Sequence, residues 1–209
     1  MQCTQPSSDN TAGVEMLAFD IETEGLNSRE HGIIVASVYD PDRQVQRTFN
    51  FMADPAKFES ERDEFLRVLD EAPSLCSFNG VRFDIPFIAV RFNVCPKRQG
   101  QWVLKTLDLF EVCKLCFGSS CSLKNLLQAN GMEQKSSHGL QAIEWAKQGN
   151  WKDVEDYCMR DAMLTHQISV CNNEDSVTSS TGVVTAPLTG WSHPVHIAVC
   201  KVTGSISFC

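Results

Sequence analysis

Apolar side chains recur along this chain in two rhythms, at alternate positions in the first third and at every third or fourth position afterwards. The run EMLAFDIET at 15–23, mostly apolar but broken by carboxylates, reads as a strand. GIIVASVYD at 32–40 and QVQRTFNF at 44–51 read as two more, separated by the turn Asp40-Pro41-Asp42. Three strands in succession predict an antiparallel meander. Residues 57–71 place Phe58, Phe65, Leu66 and Leu69 among charges, an amphipathic helical pattern that Pro73 stops. The apolar run Ser74 to Phe78 is then a fourth strand, expected parallel to the first because a helix crosses over before it.

The second half reads as helical. Helices are expected from Pro86 to about Phe92, Leu107 to Phe117, Ser122 to Ala129 with Gly131 beyond its end, Gly139 to Lys147, and Lys152 to about Val170. Strands first and helices later, with one crossover, predict an α/β fold: a mixed sheet of about five strands flanked by helices. The polar, aperiodic residues 1–13 read as a disordered tail and 14–171 as the folded domain. From Asn172 the composition shifts to Ser, Thr, Asn, Gly and Val, so 172–209 reads as a linker and irregular tail, with one further strand at HIAVCKV, 196–202.

Composition narrows the class. A chain of 209 residues, 43% of them hydrophobic, has material for one core of ordinary size. No stretch approaches the roughly 18 apolar residues of a membrane span, and the start MQCTQPSSDN lacks the basic and apolar regions of a secretory signal. An intracellular protein, cytoplasmic or nuclear, is the expectation. Of ten cysteines, Cys76, Cys158 and Cys200 lie inside apolar segments, which favours free thiols over a disulfide framework. A net charge of −8 argues against a protein that coats nucleic acid by neutralising phosphates. It leaves open an enzyme that grips one end through bound cations in an acidic cleft.

Three acidic clusters carry candidate chemistry. Asp20 and Glu22 stand two apart on the first strand, so both carboxylates face one side of the sheet. Their repulsion is relieved most directly by a divalent metal between them; the plainer account is a solvent-facing strand with two acids. In SFNGVRFDIPF at 77–87 a strand ends, a glycine turns the chain, and Asp84 precedes the helix headed by Pro86, where it could equally cap that helix. In YCMRD at 157–161, Tyr157 and Asp161 are one helical turn apart on a single face, with Val154, Cys158, Ala162 and Thr165 placed to pack on the sheet.

In order, spacing and placement the three clusters resemble the DEDD superfamily of 3′–5′ exonucleases, which have a ribonuclease H-like fold. Asp20 and Glu22 match its D-x-E motif, Asn79, Phe83 and Asp84 its N-x-x-x-[FY]-D motif, and Tyr157 with Asp161 the Y-x-x-x-D of its tyrosine subgroup. The position five before Asp161 is Asp156, not the histidine of the other subgroup, and Tyr157 is one of only two tyrosines in the chain. TLDLFEV at 106–112, SLKNLL at 122–127 and HGLQAIEWAKQGNW at 138–151 resemble the connecting region of stand-alone, polymerase B-like members. The resemblance runs from about Leu17 to Val170.

The resemblance implies a magnesium- or manganese-dependent nuclease working with two ions on the 3′ end of nucleic acid, single-stranded DNA foremost. It implies that Asp20 bridges both ions, that Glu22 and Asp161 bind the one that activates water, that Asp84 holds the second largely through its water shell, and that Tyr157 orients the water. Main-chain amides from Thr23 to Leu26 would bind the terminal nucleotide with Leu26 wedged against its base, and Asn79 and Phe83 would contact substrate. Arg82, Lys124 or Lys135 could touch neighbouring phosphates. Asp108 resembles a recurring acid of these enzymes and is read either as support to the site or as the start of a helix. A polymerase or other replication or repair protein is an expected partner. Competing readings are an inactive nucleic-acid-binding or scaffold module on the same fold, an RNA-trimming 3′–5′ exoribonuclease, and a zinc site of Cys113, Cys116, Cys121 and His138, against which buried thiols in an apolar helix are the alternative.

Overall fold

The segment LAFDIET forms β1 (Leu17–Thr23), and the residues beside it in space are far apart in sequence. A computed structural model describes residues 16–118, 120–132 and 139–170 and two further strands at 183–185 and 196–198. β2 (Ile33–Asp40) lies antiparallel to β1, with Asp20 opposite Ser37 and Glu22 opposite Val35, and the register shifts between Glu22 and Thr23. β3 (Val45–Asn50) returns antiparallel to β2 through a tight turn in which Asp40 accepts from the Arg43 N–H at 3.1 Å.

A 3-10 turn at Pro55–Lys57 leads into α1 (Phe58–Glu71), which crosses the sheet to β4 (Leu75–Ser77). Then come α2 (Asp84–Arg91), α3 (Pro96–Leu104), β5 (Thr106–Asp108), α4 (Leu109–Phe117), α5 (Leu123–Ala129), α6 (Gly139–Lys147) and α7 (Trp151–Ser169). The five strands order as β3-β2-β1-β4-β5, with β4 parallel to β1 and β5 parallel to β4. This is the mixed, helix-flanked α/β sheet expected from the pattern.

The differences have local causes. α2 begins at Asp84 rather than Pro86, so the proline sits in the first turn, where its missing N–H costs nothing. Leu107, expected inside a helix, lies in β5, and Asp108 both ends that strand and caps α4; a strand of three residues is too short to show period-two alternation. α3 is an addition, for PKRQGQWVL carries a glycine and buries only Trp102. Within 172–209, expected to be irregular apart from one strand, β6 (Val183–Thr185) pairs antiparallel with β7 (His196–Ala198) in a separate ribbon.

Alternation along β1 divides the core. Leu17, Phe19 and Ile21 project to one face, where they join Phe49, Phe65, Leu69, Ile85 and Ile88 under α1 and α2. Ala18 faces the other side with Leu107, Leu127, Leu164 and Ile168, beneath α4, α5 and α7. By the same period Asp20 and Glu22 look toward α7, where Ile34, Val35, Val154, Tyr157 and Cys158 pack together.

Phe65 is fully buried with its ring 5.3 Å from Phe49, 6.0 Å from Phe51 and 6.5 Å from Phe92. Phe65→Ala is expected to cost about 3–5 kcal/mol in urea unfolding. Phe65→Leu, which fills most of that space, is expected to cost much less.

Candidate active site

α7 lies across β1 and β2 and turns Val154, Tyr157, Cys158, Asp161, Ala162 and Thr165 inward at helical spacing. This packing brings Asp161 over the carboxylates of β1. Asp20, Glu22 and Asp161 each offer an oxygen, and these oxygens lie within 4.8 Å of one another. Asp161 is 4% exposed and Glu22 9% exposed. Three partly desolvated carboxylates at this spacing repel, and their hard oxygen donors suit a divalent cation such as magnesium or manganese better than a soft one. Among the described residues this is the group that could hold a metal ion.

Asp84 is brought near these three but lies outside their cluster. It is the first residue of α2, buried, and its Oδ1 accepts the Ile21 N–H at 3.2 Å. β4 pairs with β1 only at Leu17 and Ala18, so the Ile21 N–H on that edge has no strand to bond, and the Asp84 side chain satisfies it. Burial pushes the Asp84 carboxyl up to about 7, against the lowering effect of the backbone N–H groups it accepts, with Asp108 and Asp161 adding to the rise. Asp84 thus titrates near neutrality while no cation is bound.

Asn79 and Phe83 sit on the turn between β4 and α2. Asn79 adopts a left-handed φ of 66°, and its carbonyl accepts from the Arg82 and Phe83 N–H groups at 3.2 and 3.0 Å. Gly80 is needed for close approach: a Cβ there would lie 2.6 Å from that of Ser77. Asp108 anchors this turn. Its Oδ1 accepts from Asn79 N at 2.8 Å and Phe110 N at 3.0 Å, and its Oδ2 from Val81 N at 2.9 Å. The helix-start reading of Asp108 therefore holds, since it caps α4. Its bonds to residues 79 and 81 add a link across 27–29 positions that no local pattern could reveal. Phe83 is half-buried, with its ring 5.4 Å from that of Phe87.

The loop after β1 closes on itself. Thr23 Oγ1 donates to the Gly25 carbonyl at 2.9 Å, Glu24 N–H to the Gly32 carbonyl at 3.1 Å, and Gly32 N–H to Glu24 Oε2 at 2.7 Å. The His31 ring lies so close over Gly25 that a Cβ there would meet it at 2.7 Å. These contacts hold Leu26 out on the loop, 86% exposed. Leu26 therefore takes no part in the core.

Tyr157 is 6% exposed, with its ring edge-on to Trp145 at 6.0 Å. Cys158, read from sequence only as packing, reaches further: its Sγ lies 3.4 Å from the Asp20 carbonyl oxygen and 3.6 Å from Asp20 Oδ2. Burial foremost, then the carboxylates of Asp20 and Glu22, hold this thiol well above its ordinary range. Arg82 is engaged elsewhere, ion-paired with Glu111 and lying over the Phe110 ring. Lys124 is exposed, and Lys135 lies outside the described residues. Of the cysteine group, Cys113 is buried in the core under α4 and hydrogen-bonded with Cys121; the Cys116 side chain and His138 lie outside the described residues.

Residues 17–180 match the family model of the RNase H superfamily. No curated protein sequence matches the chain. Among solved structures, the chain is similar to the family B DNA polymerase from the hyperthermophilic archaeon Pyrobaculum calidifontis, with a TM-score of 0.59 and 16% identity. The match covers 74% of this chain and 24% of the polymerase chain, so this chain spans only a minor part of that protein's length, and at this identity the likeness is one of fold. Among the described residues no helix is long and apolar enough to cross a membrane.

The raised Asp84 carboxyl makes the metal-free fold depend on pH with a definite sign. Its protonated form favours folding fully below the unfolded value of 3.8, and that contribution is lost as pH rises through about 7. Asp84→Asn, which cannot ionise, is expected to raise the thermal midpoint at pH 8 in the presence of a chelator, by at most about 4 kcal/mol in stability. At pH 4 the two proteins should differ little. Scanning calorimetry at both pH values checks this.

Proposed function

The chain belongs to the RNase H superfamily, and from that membership we propose that it is a divalent-metal-dependent 3′–5′ exonuclease of the DEDD type, tyrosine subgroup. The observation that carries this reading is the convergence of Asp20, Glu22 and Asp161 from one strand and one distant helix to within 4.8 Å. Nothing in the packing of β1 against α7 requires three carboxylates there. A pair of hard cations turns their mutual repulsion into binding.

Asp20, Glu22 and Asp161 would hold the ions, with Asp84, set apart from the three, serving the second. When bound, two such ions make water more nucleophilic, neutralise charge on the scissile phosphate and ease departure of the leaving oxygen. The Tyr157 hydroxyl, one helical turn from Asp161, would orient the attacking water. The oxygen of that water bonds to phosphorus as the P–O3′ bond breaks, which releases a nucleoside monophosphate and leaves a strand one nucleotide shorter. The terminal nucleotide would lie between the loop carrying Thr23 and Leu26 and the turn carrying Asn79 and Phe83. The exposure of Leu26 supports stacking on a base, which needs an apolar side chain held out in solvent.

Single-stranded DNA is the favoured substrate. A partner of the polymerase or repair kind would supply the affinity for nucleic acid that a net charge of −8 does not, and the fold likeness to a family B DNA polymerase is in keeping with such a partner. The free thiols among the described residues suit work inside the cell.

The test is a 5′-labelled single-stranded oligonucleotide incubated with magnesium or manganese. A ladder shortening from the 3′ end is expected; no degradation with either ion would favour an inactive binding or scaffold module, and degradation of RNA alone would favour an RNA-trimming enzyme. Asp20→Asn should abolish activity while the thermal midpoint stays level or rises, because it removes repulsion. Tyr157→Phe should lower kcat by roughly a hundredfold with metal affinity little changed.

A further inference from the structure

A row of small polar side chains runs across the sheet beneath α7. Thr48 on β3, Ser37 on β2 and Asp20 on β1 stand directly opposite one another in the two strand registers, so all three share one face. Ser37 is fully buried, and its hydroxyl lies 2.8 Å from that of Thr48. Away from the carboxylates the contact between sheet and helix is apolar, filled by Ile34, Val35, Ala142 and Val154. A buried polar row in such a contact is costly unless its members satisfy one another.

Cys158 comes down from α7 onto this row. It is fully buried, and its sulfur lies 3.4 Å from the Asp20 carbonyl oxygen and 3.6 Å from Asp20 Oδ2. The carbonyl and the ionised carboxylate oxygen both only accept, so the single S–H of the thiol is shared between these two contacts, while the sulfur is also hydrogen-bonded with the Ser37 side chain. The torsion that turns a carboxylate about its own axis is soft, and a donor fixed on one oxygen settles it. A neutral, weak donor does this without drawing off the negative charge a cation needs, as a lysine or arginine at the same place would.

We propose that Cys158 is a positioning residue: its thiol, backed by the Ser37–Thr48 hydroxyl pair, holds the Asp20 carboxylate in the orientation that meets Glu22 and Asp161. This rests on the reading of those three carboxylates as a divalent-ion site. It concerns which way Asp20 points, and so it acts on metal affinity and turnover and leaves affinity for the nucleic acid unchanged.

Three variants separate donor from volume. Cys158→Ser keeps a donor on the same Cβ, Cys158→Val keeps the volume without a donor, and Cys158→Ala keeps neither. Manganese binding is read without substrate by electron paramagnetic resonance, and kcat and KM are read on a labelled oligonucleotide at subsaturating manganese. Val and Ala are expected to bind manganese roughly tenfold more weakly and to turn over more slowly at unchanged KM, with Ser within about threefold of the parent. Parental binding in Val together with a defect in Ser would overturn the proposal in favour of packing, as would parental binding in all three. A parent protein that binds no manganese would bring down the metal-site reading itself, and this proposal with it. A measurement on the unsubstituted protein is independent of how the variants fold. The S–H infrared stretch should shift on adding magnesium, in a band absent from Cys158→Ser, and an unmoved band overturns the proposal.

Discussion

Keeping three carboxylates together at the junction of a strand and a helix is the constraint on which the rest of this molecule depends. Oxygens within 4.8 Å repel by on the order of 3 kcal/mol per pair at an effective dielectric of 20, before any cation is present. The chain meets that cost with packing. β1 is paired on both edges and buried on both faces, and α7 is the helix with the most extensive contact on β1 and β2. Two aliphatic and aromatic cores, one on each side of β1, hold strand and helix in place whether or not the carboxylates favour it.

Around this junction the fold uses carboxylates for two different purposes. Asp108 takes three backbone N–H groups and ties the β4–α2 turn to the start of α4, so its charge serves structure. Asp84 accepts the N–H of the β1 residue between Asp20 and Glu22, and sits in an environment that pushes its proton affinity to about neutral. The short β4 makes the second arrangement possible. A longer strand would have bonded the Ile21 N–H itself and left Asp84 no place beside β1.

The polar row of Thr48, Ser37 and Cys158 adds a third use of buried polarity. It runs beneath α7 and ends on a carboxylate oxygen of Asp20. None of its members looks unusual in sequence: a threonine on a strand near the sheet edge, a serine in an apolar run and a cysteine on the inward face of a helix. Their connection depends on the registers of three strands and the height of one helix above them.

Local patterning was enough to read the strands β1 to β4, the helix crossing between β3 and β4, and the helical second half, because period-two and period-3.6 burial are properties of contiguous residues. It was also enough to place Asp20 with Glu22 on one face of a strand, and Tyr157 with Asp161 on one face of a helix. Elements too short or with too little buried escaped it, β5 with its three residues and α3 with its single buried tryptophan. What only the tertiary structure decided is which distant groups meet: Asp161 over Asp20 and Glu22, Asp84 on the Ile21 N–H, Asp108 on residues 79 and 81, and Cys158 on Asp20. The reason is physical. Periodicity aims a side chain at a face, but the partner it finds there is set by sheet order, strand register and helix packing, which are summed over the whole chain.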